Sequence, residues 1–179
     1  MQNNINGLND LLFHQIFCGH GGEKLLKPFL EEVLATKEFK YLKTLNPVLP
    51  LERINEKSKI PDSLVQTDKY IINTECNRFY YRYLNRRNFA YAGSVYNSYI
   101  DKGKYYKDMP NIIQLNLNEN LPKYFNNQKY QYEVYDKERD EYYIDNLKII
   151  TYNIDKIVEL YYNKGNHEVR KEPLDMRDI

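Results

Sequence analysis

A chain of 179 residues with 26 Lys and Arg against 25 Asp and Glu carries a net charge of +1. It suits one domain and has no global field to draw it to nucleic acid or to a membrane. No apolar run approaches the ~18 residues of a membrane span, no basic-then-apolar leader opens the chain, and two cysteines with three histidines make neither a disulfide framework nor a zinc site. No membrane partner and a reducing, cytoplasmic setting are therefore expected. The mean hydropathy of −0.77 is polar for a globular protein, but 19 Tyr and 7 Phe supply large, partly apolar rings for a core.

In chain order, Leu8, Leu12 and Ile16 recur at i, i+4 and i+8. This predicts an amphipathic helix capped by Asn6, with Asp10 off its apolar stripe. Cys18 to Gly22 reads as a turn. Leu25, Leu26, Phe29, Leu30, Val33 and Leu34 give a second helical stripe, which Pro28 either kinks or enters in the first turn. Pro47 and Pro50 break the next stretch into a connection.

Two runs of extended-type residues then flank Thr67-Asp68-Lys69-Tyr70. A two-residue turn at Asp68-Lys69 pairs Thr67 with Tyr70 and, counted outward, sets Asp62 opposite Glu75. Opposed residues of an antiparallel pair share a face with Cβ atoms roughly 5 Å apart. Carboxylates that close repel unless a cation lies between them. Mg²⁺ usually takes only one or two protein carboxylates, so Asp62, Glu75 and, two residues on, Asn77 form a candidate metal face. The same spacing also fits a solvated hairpin. Asp-Lys lacks the Gly that tight turns favour, and a slip of one residue would move Asp62 to the other face.

From Arg78 to Lys107 the chain has seven basic residues and one acid, Asp101. A helix there would align Arg78, Arg82 and Arg86, with Arg87 beside them. Arg grips phosphate with a planar fork, so the run is either a solvated helix face or a phosphate track. The long helix is expected from about Tyr83 to Lys102, with Phe89, Ala92, Tyr96 and Tyr99 on one face and Gly103 as its stop. Strands follow at Ile112 to Leu117, Tyr130 to Tyr135 and Leu147 to Ile154, then a short helix from Lys156 to Tyr162. Glu133 to Asp145, with six acids and two bases, reads as a solvated turn. His14 reads as a surface residue rather than a base. The order predicts a mixed α/β domain with a central mixed sheet over residues 1–163 and a charged, loose tail over 164–179.

With these residues in view, the chain resembles the PD-(D/E)XK nuclease-fold family of recombination-promoting nucleases and transposase-like proteins (the Rpn family). Asn9 to Phe17 is similar to its opening N-D-x-x-F-K-x-x-F, with His14 in place of Lys. Asp62 and Glu75-Cys76-Asn77 sit where the family has its metal-binding Asp and E-x-Q. Arg87, Tyr91, Tyr96, Gly103 and Tyr106 reproduce R-x₃-Y-x₄-Y-x₆-G-x₂-Y, the most specific part. Pro110, Ile112 and Ile113 follow as its next strand would. Leu147 to Lys156 resembles its strand ending in E-L-x-K, with Asn153 replacing the Glu. Against the family pattern the chain is short at its C-terminus.

The resemblance implies a restriction-endonuclease-like core and a Mg²⁺- or Mn²⁺-dependent DNA endonuclease acting in recombination or transposition of mobile DNA. Asp62, Glu75 and the backbone carbonyl of Cys76 would hold metal, and Asn77 would orient water or phosphate. Asp10 would supply an outer acid, and Lys57 or Lys59 a stand-in for the superfamily Lys. Arg78, Arg82, Arg86 and Arg87 would bind DNA, and a homodimer stays open. The departures leave a second reading, a relative that no longer cuts and acts as a DNA- or protein-binding module. A third, a purely structural or interaction domain, requires the acidic face to be empty of metal.

Overall fold

The computed structural model describes residues 17, 22–36, 38–45, 61–100 and 105–163. The expected first helix, with Asp10 and His14, the connection after Thr44 with Lys57 and Lys59, Gly103 and the tail all lie outside the described residues.

Leu26, Leu30 and Val33 recur at helical spacing and are buried along α1, Glu23–Val33. Leu25, expected on the same stripe, faces solvent. Pro28 lies inside the helix, where it has no N–H to give the carbonyl of Lys24. The helix ends at Leu34, and Ala35 takes a left-handed φ of 46°. The carbonyl of Val33, left open by that ending, accepts a 2.6 Å hydrogen bond from the Tyr152 hydroxyl.

Six strands follow: β1 Leu42–Thr44, β2 Ser63–Thr67, β3 Tyr70–Asn77, β4 Asn111–Asn118, β5 Lys129–Asp136 and β6 Glu141–Asn153. They form one sheet in the order β1-β2-β3-β4-β6-β5. The β2–β3 hairpin has the predicted register: Ser63 pairs with Thr74 and Leu64 with Asn73, so Asp62 continues opposite Glu75. A hydroxyl compensates for the missing Gly in the turn. Thr67 Oγ1 accepts from the N–H of Lys69 (3.2 Å) and Tyr70 (2.9 Å) and donates to the Tyr70 carbonyl (3.1 Å), which uses its full hydrogen-bonding capacity.

β3 pairs with β4, and β4 with β6, in parallel. The crossover from β3 to β4 carries α2, Leu84–Ser98. α2 is shorter than expected: Leu84, Asn88, Ala92 and Val95 are buried, and of the expected face Ala92, Tyr96 and Tyr99 pack on the sheet while Phe89 is exposed. Ala92 and Val95 pack with Leu64, Ile71, Ile112 and Leu147. The small Ala92 lets the helix approach the sheet closely, with Tyr96 and Tyr99 partly buried against the same cluster. Leu26, Leu30 and Val33 of α1 cover the opposite face with Val65, Ile72, Ile113, Leu115 and Ile150. Ile154 and Ile157 of α3, Ile154–Asn163, join them. The acid-rich stretch Glu133–Asp145 is not a turn alone. It forms parts of β5 and β6 around a four-residue turn, in which Asp140 takes a φ of 57°. Among the described residues the result is an α/β fold, a six-stranded mixed sheet flanked by three α-helices, consistent with a restriction-endonuclease-like core.

Candidate active site

Alternation along a strand sends every second residue to one face. On β3 the α2 face carries Ile71, Asn73, Glu75 and Asn77; on β4 it carries Ile112, Gln114, Asn116 and Asn118; on β6 it carries Leu147, Ile149, Thr151 and Asn153. The rows begin apolar beneath α2 and become polar toward the carboxyl ends of the parallel strands, where open α/β sheets commonly bind ligands. Asn73 Nδ2 donates to Gln114 Oε1 at 2.7 Å, Gln114 Nε2 to Asn116 Oδ1 at 2.9 Å, and Asn116 Nδ2 to Thr151 Oγ1 at 3.3 Å. One row nearer the strand ends, Asn77 Nδ2 donates to Asn118 Oδ1 at 2.8 Å. All these side chains are buried. Such a network is tolerable in a core only when its members find partners.

Glu75 stands in the middle of this face with 2% of its surface exposed. Its Oε2 accepts from Arg87 Nη2 at 3.1 Å. Its Oε1 is buried and has no hydrogen-bond partner among the described residues. Burial, and after it the charge of the facing Asp62, push the Glu75 carboxyl from 4.5 up to about 8, against the opposing pull of Arg87. Asp62 is half-buried, and its Oδ2 accepts from the backbone N–H of Cys76 at 2.7 Å. That bond fixes the end of β2 against β3 and keeps both acids on the same side.

Arg87 lies one turn into α2, its side chain 42% exposed. The same Nη2 also donates to Asn77 Oδ1 at 2.9 Å, and the guanidinium sits 5.5 Å from the centre of the Tyr91 ring. Burial alone would lower its pKa; the Glu75 carboxylate and the hydroxyls of Tyr81 and Tyr91 outweigh that and raise it. Burial and the two acids raise the Tyr91 hydroxyl as well.

Asp62, Glu75, Asn77 and Arg87 thus converge. The Cys76 side chain instead joins the core on the α1 face; only its backbone reaches the site. Arg78 and Arg82 precede α2 rather than continuing the helix through Arg86, so the four arginines do not form one helical row. Residues 78–83 are needed for the chain to leave β3 and turn onto the sheet. Sequence reasoning missed Asn73, Gln114, Asn116 and Asn118. Their only signal was the polar alternation of Gln114, Asn116 and Asn118 in β4.

The described residues contain no group of three or more His, Cys, Asp or Glu side chains gathered for a metal. Two facing acids with one buried, unpartnered carboxylate oxygen still fit a hard cation that completes its shell with water. A sequence model of the PD-(D/E)XK nuclease family transposases matches residues 7–172. The chain belongs to that family. A search among curated proteins finds no match. Membership in the PD-(D/E)XK nuclease family transposases gives the chain a nuclease- or transposase-related function, with DNA as the substrate this implies. Among the described residues, no helix is long and apolar enough to cross a membrane.

Proposed function

We propose that the chain is a Mg²⁺- or Mn²⁺-dependent DNA endonuclease that hydrolyses phosphodiester bonds in the recombination or transposition of mobile DNA. The observation that carries this reading is the buried Glu75 carboxylate, opposed to Asp62 and holding one oxygen without a partner among the described residues. Asp62 and Glu75 would hold the ion, with the Cys76 carbonyl as a further ligand. When bound, the ion supplies a more acidic water and screens charge on the phosphate. Asn77, pinned between Asn118 and Arg87, orients water or a phosphate oxygen but cannot take the proton of that water. Arg87 takes over the task of the superfamily Lys: a fixed positive charge beside the acids, partly open to solvent, where negative charge grows on the phosphate. Arg78, Arg82 and Arg86 track the DNA backbone. Asp10 remains the proposed outer acid.

Purified wild type and Glu75→Ala test the reading by calorimetric titration with Mn²⁺ and by plasmid nicking in Mg²⁺. Wild type binds Mn²⁺ and nicks; Glu75→Ala does neither. Equal nicking by the two proteins would trace the activity to a contaminant.

A second reading, a binding module that no longer cuts, draws on the Arg87 guanidinium at Glu75 Oε2, a position where a cation already meets the carboxylate. DNA binding without nicking or Mn²⁺ uptake would select it.

A further inference from the structure

We propose that residues 78–86, between the Glu75 strand and α2, form a stacking platform for unpaired nucleotides, so that the DNA handled by this site has a single-stranded segment beside it. This rests on the endonuclease reading above and names its substrate class. Phe79 is 67% exposed and Tyr83 50% exposed. Single exposed rings are ordinary on a protein surface; these two come with cations. The guanidinium of Arg78 lies 5.5 Å from the centre of the Phe79 ring. Those of Arg82 and Arg86 lie 5.6 Å and 5.1 Å from the centre of the Tyr83 ring.

No acid occurs from Cys76 to Ile100, so nothing in this stretch repels a polyanion. Tyr142 and Tyr143, also exposed, stand on a strand that carries Glu141 and Asp145 and would meet phosphate with like charge. Charge therefore favours the first pair of rings over Tyr142 and Tyr143, and the same sequence neighbourhood as Glu75 and Arg87 favours it over Tyr105, which also has a cation, Lys107, 5.2 Å from its ring centre. A duplex conceals the faces of its bases and offers phosphates, for which cations suffice. Exposed rings interleaved with arginines match unstacked bases instead, each base adding about 1–3 kcal/mol on an aromatic face. The position agrees, since the same segment leads within one turn to Arg87, which reaches Glu75.

The test is fluorescence anisotropy with the full chain in chelator, so that nothing is cut. The probes are a 20-nucleotide oligothymidylate, an abasic strand of the same phosphate count, and a 20-base-pair duplex. The oligothymidylate should bind at least tenfold more tightly than the abasic strand. Phe79→Ala and Tyr83→Ala should each weaken oligothymidylate binding about 5- to 150-fold and leave the abasic strand unchanged. Phe79→Leu and Tyr83→Leu, which keep apolar bulk without a ring, should behave as the alanines do and guard against a folding artefact. Arg82→Ala should weaken all three probes. Equal affinity for the thymidylate and abasic strands, or ring variants without effect, overturns the platform. Failure of the endonuclease reading would show separately, as absent Mn²⁺ binding and nicking.

Discussion

Replacing Glu75 by Gln keeps the shape of the side chain and an oxygen for Arg87 to donate to, and removes one titration. Burial and the opposed Asp62 raise the wild-type carboxyl from 4.5 to about 8. The folded chain then holds this proton more tightly than the unfolded chain does. Its contribution to stability is complete below pH 4.5, declines as the pH rises, and is lost above about 8. At about 1.4 kcal/mol per pH unit, the shift from 4.5 to about 8 is worth on the order of 5 kcal/mol. Urea melts of wild type and Glu75→Gln in chelator, at intervals from pH 5 to 9, read the difference directly. The variant should gain on wild type steadily up to about pH 8 and then hold its lead. Added Mn²⁺ should shrink that slope, because the ion takes the place of the proton. A stability difference that stays flat from pH 5 to 9 would refute the placement of Glu75 in a buried site facing a second acid.

Arg87→Ala should lower nicking by about 10²- to 10³-fold, whereas Asn77→Lys alone should not accelerate it, because the new ammonium would stand against the guanidinium. The pair Asn77→Lys with Arg87→Ala should recover part of the loss in the same plasmid assay; a double variant as inert as Arg87→Ala would show that the two cations are not interchangeable. Tyr152→Phe leaves the Val33 carbonyl without the hydroxyl it accepts from and should cost about 1–3 kcal/mol in urea melts, with no effect if water reaches that carbonyl.

The hairpin was legible in the sequence because alternation with a period of two and a short turn leave few registers. What holds the register, the Thr67 hydroxyl, was passed over. The polar rows were not legible. Alternation at Ile112 to Leu117 marks a strand and leaves open what the polar side meets, whereas β4 is a central parallel strand buried on both faces. The partners of Gln114, Asn116 and Asn118 on β3 and β6 lie some 35 to 41 residues away. Arg87 was picked out for its charge and family spacing, yet no spacing reveals that its side chain bends back to Glu75 instead of pointing at solvent. Of the expected face of α2, Ala92, Tyr96 and Tyr99 do pack on the sheet cluster, whereas Phe89 faces solvent, because the buried side is completed by Leu84, Asn88 and Val95 instead.

The bond from Tyr152 to Val33 joins residues 119 apart in the chain, and β6 docks on β4 after the intervening β5 has been made. During synthesis the β2–β3 hairpin emerges early with its local pairing, but β4 has one open edge until β6 leaves the ribosome. Asn116 lacks its β6 partner until then, because Thr151, which ends the row, emerges only after β4 and β5. Long-range parallel pairing of this kind is slow, and an uncovered central strand rich in Ile and Leu invites pairing with other chains. A nascent chain stalled short of residue 150 would therefore hold both acids and Arg87 yet lack the strand that covers the free edge of β4, which makes the interval between the emergence of β4 and that of β6 the one most exposed to aggregation.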